Sequence, residues 1–150
     1  MPATAAQLDS IRRYEQYAQV DPRNVSLLMQ LGDLYHQAGR LEDALKCFER
    51  CLQVEPNNTR ARSRIASVMI SQHHFADAEK ILAALVAEGD KDPALLHNLG
   101  LTIYHQHRFD EARRCFADAA ERGLTAPTNY AHLARSLHHL SEMDQAISAA

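Results

Sequence analysis

The sequence has no tryptophan and only five glycines, five prolines and three cysteines in 150 residues. So few breakers leave little to interrupt helices, and they exclude collagen-like and low-complexity chains. Cys47, Cys51 and Cys115 lack zinc-type pair spacing and leave one over if two pair, so they read as thiols of a reducing compartment. No charge of one sign dominates: 16 Lys and Arg against 19 Asp and Glu give a net charge of -3. There is no basic stripe to track phosphates, so no nucleic-acid partner is expected. A run of about 18 apolar residues is also missing, and Met1–Thr4 does not open a signal peptide. The expectation is no membrane span and a cytoplasmic location. What is present is 46% hydrophobic residues, 23% charged residues and 24 alanines, which points to an all-helical domain.

The dominant signal is internal repetition with a period of 34 residues. Gly32, Ala66, Gly100 and Ala134 fall on it, each preceded by Leu31, Ile65, Leu99 or Leu133. Twelve positions further on stand Ala44, Ala78, Ala112 and Ala146. Large apolar columns follow the same count: Leu41, Phe75, Phe109 and Met143, then Phe48, Leu82 and Phe116. Pro22 with Pro56, Pro93 with Pro127, and Gly89 with Gly123 repeat the punctuation. A fixed period of this length marks a solenoid of stacked units.

These residues resemble the tetratricopeptide repeat. Its pattern is met in the first copy by Leu28, Leu31, Gly32, Tyr35, Ala44, Phe48 and Pro56, with Leu28 in place of the usual Trp. The third copy matches through Leu96, Leu99, Gly100, Ile103, Ala112 and Phe116; the second diverges, with Arg62 and Ala66 at two consensus positions. The resemblance implies an all-α, right-handed α-α superhelix of antiparallel helix pairs. Residues 1–24 are then a capping half repeat, followed by repeats over 25–58, 59–92 and 93–126 and an incomplete fourth over 127–150.

Periodicity places first helices at roughly 25–38, 59–72, 93–106 and 127–140, and second helices at roughly 42–54, 75–88, 109–122 and from 143 onward. Asn24, Asn58 and Asp92 read as N-caps, Pro93 as a first helical residue, and Gly89 and Gly123 as C-terminal caps. In the leading half repeat, Leu8, Ile11, Tyr14 and Ala18 are expected to face the stack and Asp9, Arg12, Arg13, Gln16 and Gln19 to face water. At the other end Ile147 and the last hairpin lack a cover, which predicts self-association through that end and further chain beyond Ala150.

Nine histidines raise the question of a metal or acid-base centre. His73 and His107 share a column, but copies stand roughly 8–10 Å apart and no Cys-x2-Cys or His-Glu-x2-His accompanies them. They read as solvated turn residues. No nucleophile, base and oxyanion cradle converge in the sequence, so neither catalysis nor a cofactor or metal is expected. Cys51 reads as a small buried hydrophobe.

The resemblance instead implies binding of a peptide or protein partner in a concave groove lined by the first helices. Carried over column by column, the groove residues are Met29, Asp33 and His36, then Arg60 and Ser63. The third copy supplies His97, Leu101, Tyr104 and His105, and the fourth Arg135, His138 and His139. Met29, Asp33, Ala94 and Asn98 stand where the family's carboxylate clamp has its Lys, Asn and Arg residues, so chaperone C-terminal tails are not the expected ligand. Histidines of ordinary pKa would make an acidic ligand bind better below about pH 6.5. The function expected is an interaction scaffold forming the N-terminal part of a longer protein. The alternative is a small cytoplasmic chaperone similar to those of type III secretion.

Overall fold

The computed structural model describes residues 2–149, which form eight helices and, among the described residues, no strand. They are α1 (Ala5–Val20), α2 (Val25–Gln37), α3 (Leu41–Val54), α4 (Thr59–Ser71), α5 (Phe75–Ala87), α6 (Pro93–His105), α7 (Phe109–Glu121) and α8 (Pro127–Ala149). The chain divides into two compact units, one running through Gln72 and one from His73. Six helices, α2 to α7, begin and end within two residues of the boundaries that sequence periodicity sets, and side-chain caps fix the starts of three of them. Asn24 accepts from the Leu27 N–H at 3.0 Å, Asn58 from Ala61 at 2.9 Å, and Asp92 from Ala94 at 2.9 Å. Thr4 and Gln7 close a reciprocal capping box at the start of α1.

In the first unit, α2 and α3 form an antiparallel hairpin. A Cβ at Gly32 would lie 2.5 Å from the Phe48 ring, so the missing side chain is the space the ring occupies. Leu28, Leu31, Tyr35, Ala44, Phe48 and Cys51 are buried there. Against α2 packs α1 through buried Ile11 and Ala18, while the Tyr35 hydroxyl donates to Glu15 at 2.5 Å. Leu8 departs from the expected facing: it is exposed, as are Tyr17 and Val20. In the second unit α6 and α7 repeat the hairpin, with a Gly100 Cβ position 2.7 Å from Phe116.

The hairpin turn needs a residue with positive φ. Gly39 supplies it at 74°, and the Arg40 N–H reaches back to the Tyr35 carbonyl at 2.8 Å. One and two periods later His73 and His107 take the same conformation, each at φ 63°. These histidines are exposed, as expected of turn residues, but held in a backbone conformation that disfavours a side chain.

At Ser141, in the same column, the structure departs from the period. The expected turn and second helix from Met143 are not formed, and α8 runs unbroken for 23 residues. A turn would place Ser141 at positive φ and break helical hydrogen bonds, whereas Ser-Glu-Met-Asp-Gln-Ala continues a helix at little cost. Ala150, which closes the expected fourth copy, lies outside the described residues.

Candidate functional site

Within the first unit, α2 and α4 carry the predicted groove residues Met29, Asp33, His36, Arg60 and Ser63. Near their N-terminal ends is a cleft of about 320 Å³ lined by Val25, Ser26, Met29, Gln30, Asp33, Glu55, Asn58 and Arg60. Met29 is 95% covered and forms its floor rather than an open contact. Both acids have partners: Asp33 pairs with the Arg64 guanidinium at 2.9 Å, and Glu55 accepts from the Asn58 amide at 2.7 Å. Arg60 is exposed and has no ion pair among the described residues, and Glu55 keeps its charge because its partner Asn58 is neutral, so the cleft presents one unpaired cation and one unpaired anion. Ser63 is half-buried, and its carbonyl accepts from the Ser67 hydroxyl. At the other end of the helices, His36 Nε2 meets the Ser71 hydroxyl at 2.9 Å. Burial holds the His36 pKa below the ordinary histidine value, with Arg64 adding to the shift and Asp33 opposing it.

Residues His97, Leu101, Tyr104, His105, Arg135, His138 and His139 belong to the second unit, and most are engaged with neighbours. His97 Nδ1 donates to the Asn129 side-chain oxygen at 2.9 Å, and the Asn129 amide donates to the Phe116 carbonyl at 2.9 Å. Asn129 is fully buried, so this chain of bonds satisfies an amide that would otherwise be costly to bury. His132 stacks on Phe116 at 5.5 Å and meets the His97 ring edge-on. The Tyr104 hydroxyl and His139 Nε2 share a hydrogen bond of 3.0 Å, and His139 Nδ1 lies 3.4 Å from Glu142. His138 also lies 3.4 Å from Glu142. Leu101 is half-buried and Arg135 exposed.

Two relations recur that the sequence reading did not anticipate. His36 with Ser71 and Tyr104 with His139 are both 35 residues apart, a polar rung from one first helix to the next. Phe75 with His105 and Phe109 with His139 are both 30 apart, and both pairs stack at 4.5 Å between ring centres. Alignment of column 12 in one copy with column 13 in the next would have disclosed the first. His105 and His132 have pKa values below the ordinary range, mainly through burial, with neighbouring histidines adding to the shift. A gain in acidic-ligand affinity from His36 or His105 therefore sets in at lower pH than an unperturbed histidine would give.

Cys47 and Cys51 are buried and Cys115 half-buried, and burial pushes each thiol up to about 11, which leaves them poor nucleophiles. Among the described residues no group of three or more His, Cys, Asp or Glu is placed to hold a metal ion. No helix among them is long and apolar enough to cross a membrane.

Paired helices on a 34-residue count, with a small residue of one against an aromatic of the other, define a helical-repeat protein. Family models described as tetratricopeptide repeat match residues 8–61, 37–100 and 94–123. The chain belongs to the tetratricopeptide repeat family. No curated protein matches it in sequence. Among solved structures, a crystal structure of MamA superposes with a TM-score of 0.73 at 20% identity, covering 92% of this chain and 81% of that one. MamA residues 41-end from Desulfovibrio magneticus RS-1 gives 0.73 at 17% identity, covering 97% and 88%. The first repeat domain of Spaghetti (RPAP3) bound to the HSP90 peptide SRMEEVD gives 0.72 at 19% identity, covering 81% and 96%. At these identities the likeness establishes the all-α tetratricopeptide solenoid fold.

Proposed function

We propose that the chain is a binding scaffold for a peptide or protein segment, with the first helices of each unit as its contact surfaces. The observation that carries this reading is the cleft between α2 and α4. Its Asp33 carboxylate is neutralised by Arg64, and Arg60 has no ion pair beside an apolar floor formed by Met29. Such a cleft favours a segment that offers a carboxylate beside an apolar side chain. In the second unit Leu101 and exposed Arg135 present the same pairing of apolar and cationic groups. The acidic peptide held by the Spaghetti repeat domain is consistent with a ligand of this class, although the carboxylate-clamp residues differ here.

The test is selection from a displayed peptide library on the immobilised chain, followed by titration of the winners. Enrichment of acidic segments whose affinity falls about tenfold with Arg60→Glu is the expected result, since one charge-assisted contact is worth that much. Winners indifferent to both Arg60→Glu and Arg135→Glu would remove the basis of the proposal.

A further inference from the structure

A basic residue recurs on the 34-residue count in α1, α3, α5 and α7, as Arg12, Lys46, Lys80 and Arg114. In three of these helices an acid one turn back faces it. Asp9 lies 4.0 Å from Arg12, Asp77 3.3 Å from Lys80 and Asp110 2.6 Å from Arg114. The α3 copy breaks this rule. Its acid, Asp43, is taken by Arg40 at 2.8 Å, and Lys46 has no ion pair among the described residues. One turn further on, Arg50 gives one N–H to the Pro22 carbonyl at 2.9 Å and has no ion pair among them either. A guanidinium has five such donors, so four are left for another acceptor.

Both cations line a cleft of about 530 Å³ between α1 and α3. Its floor is Ala18, Leu31 and Cys47, all buried, and Pro22 lies beside Arg50 at one end. At the other end Tyr35 donates to Glu15 at 2.5 Å, and Arg40 serves both Asp43 and, at 3.8 Å, Glu15. Two carboxylates sharing one guanidinium leave that end with one negative charge. The cleft is therefore bipolar, with two unpaired cations towards Pro22, one unpaired anion towards Tyr35 and an apolar middle. It shares no lining residue with the α2–α4 cleft, and Leu31 lies about 160° round α2 from Met29 and Asp33.

We propose that this cleft binds an extended segment of a partner protein that reads acid-x-apolar-x-base, in either chain direction. From Asp43 to Arg50 the cleft runs about 10 Å along α3, so its volume gives a width of about 7 Å, too narrow for a helix about 10 Å across. In an extended chain alternate side chains share one face about 6.6 Å apart, so an acid and a base four residues apart span about 13 Å. The acid then reaches Arg50 and Lys46, the base reaches Glu15 and Asp43, and the apolar residue covers Leu31 and Cys47. Nothing in this assignment depends on the α2–α4 cleft.

The probe is the peptide acetyl-Glu-Thr-Leu-Thr-Lys-amide, titrated into the isotope-labelled 150-residue chain and read from amide NMR shifts. Shifts are expected at Ala18, Gln19, Cys47 and Arg50, with half-saturation at about 1 mM or below. Lys in place of the peptide's Glu, or Arg50→Glu in the chain, should weaken binding about tenfold, the worth of one charge-assisted contact. The Arg50→Glu chain should bind the Lys peptide better than the Glu peptide, a reversal that damage to the fold does not produce. No shift at about 10 mM, equal binding of the Glu and Lys peptides by the parent chain, or binding unchanged with Ser for the peptide's Leu overturns the proposal. Shifts centred on Met29, Asp33 and Arg60 that Arg60→Glu abolishes also overturn it and assign the peptide to the α2–α4 cleft. A dimer in sedimentation that Arg50→Glu converts to monomer counts against it too, since a second copy then fills the cleft.

Discussion

Adding one methyl group at Gly32 separates local helix preference from the tertiary fit. An Ala in the middle of a helix is ordinarily worth about 1 kcal/mol over Gly. Here the new Cβ would stand 2.5, 2.7 and 3.0 Å from Cε1, Cζ and Cδ1 of Phe48, where ordinary contact begins at 3.4 Å. The ring would have to retreat by nearly 1 Å, yet Phe48 is fully buried and has no open side to move toward. Overpacking of this kind costs about 1–3 kcal/mol, so Gly32→Ala is expected to lose about 1 kcal/mol net. The chain supplies its own remedy, since its second copy carries Ala66 and Leu82 in these two columns. Phe48→Leu alone opens a cavity, but with Gly32→Ala the combined loss should fall short of the sum by at least 1 kcal/mol. Urea unfolding followed at 222 nm measures this, with hydrogen exchange of α2 and α3 as the local readout because repeat arrays need not unfold as one. A Gly32→Ala chain more stable than its parent, or strictly additive losses in the double variant, would refute the fit.

Three further outcomes follow from features of the same kind. Replacing His107, at φ 63°, by Gly should raise stability by up to about 1 kcal/mol and by Val should lower it, read from thermal melts. Asn129→Ala leaves His97 Nδ1 without its Asn129 partner and removes a second bond to the Phe116 carbonyl, and should cost about 1–3 kcal/mol, with faster exchange in α8. Because His36, His105 and His132 have pKa values lowered on folding, the unfolded chain takes up their protons first. The stability they contribute is therefore present above about pH 6.5 and is lost as pH falls through the folded values. Melting temperature should drop between pH 7.5 and 5.5, and by less in a His105→Gln, His132→Gln chain.

Much of this architecture is legible in the sequence because its causes are local or exactly periodic. Asn24, Asn58 and Asp92 cap helices by bonding a backbone N–H two or three residues on, and the Gly32 and Phe48 columns repeat with their neighbours. What was not legible depends on groups a whole period apart. The His36–Ser71 and Tyr104–His139 rungs join different residue types, so no single column reveals them. Met29, read as a groove residue, lines the cleft as its covered floor, a depth that depends on its neighbours in space. At Ser141 the period signals a turn, but a turn forms only where burial of the returning helix outweighs the positive φ, and Ala150 in the Phe column removes the largest part of that burial.

The buried amide of Asn129 bears on the rotation of α8. Apolar side chains tolerate a helix rolling by some tens of degrees, because one methyl group replaces another against the same neighbours. An amide that must give its oxygen to His97 on α6 and its N–H to a carbonyl of α7 has no such latitude. It acts as a key in a shaft, setting the angle at which the helix is mounted. That angle decides that Tyr130 and Leu137 point outward while Ser136 is turned in, so a polar residue with no contact to the outer surface dictates which side chains that surface displays.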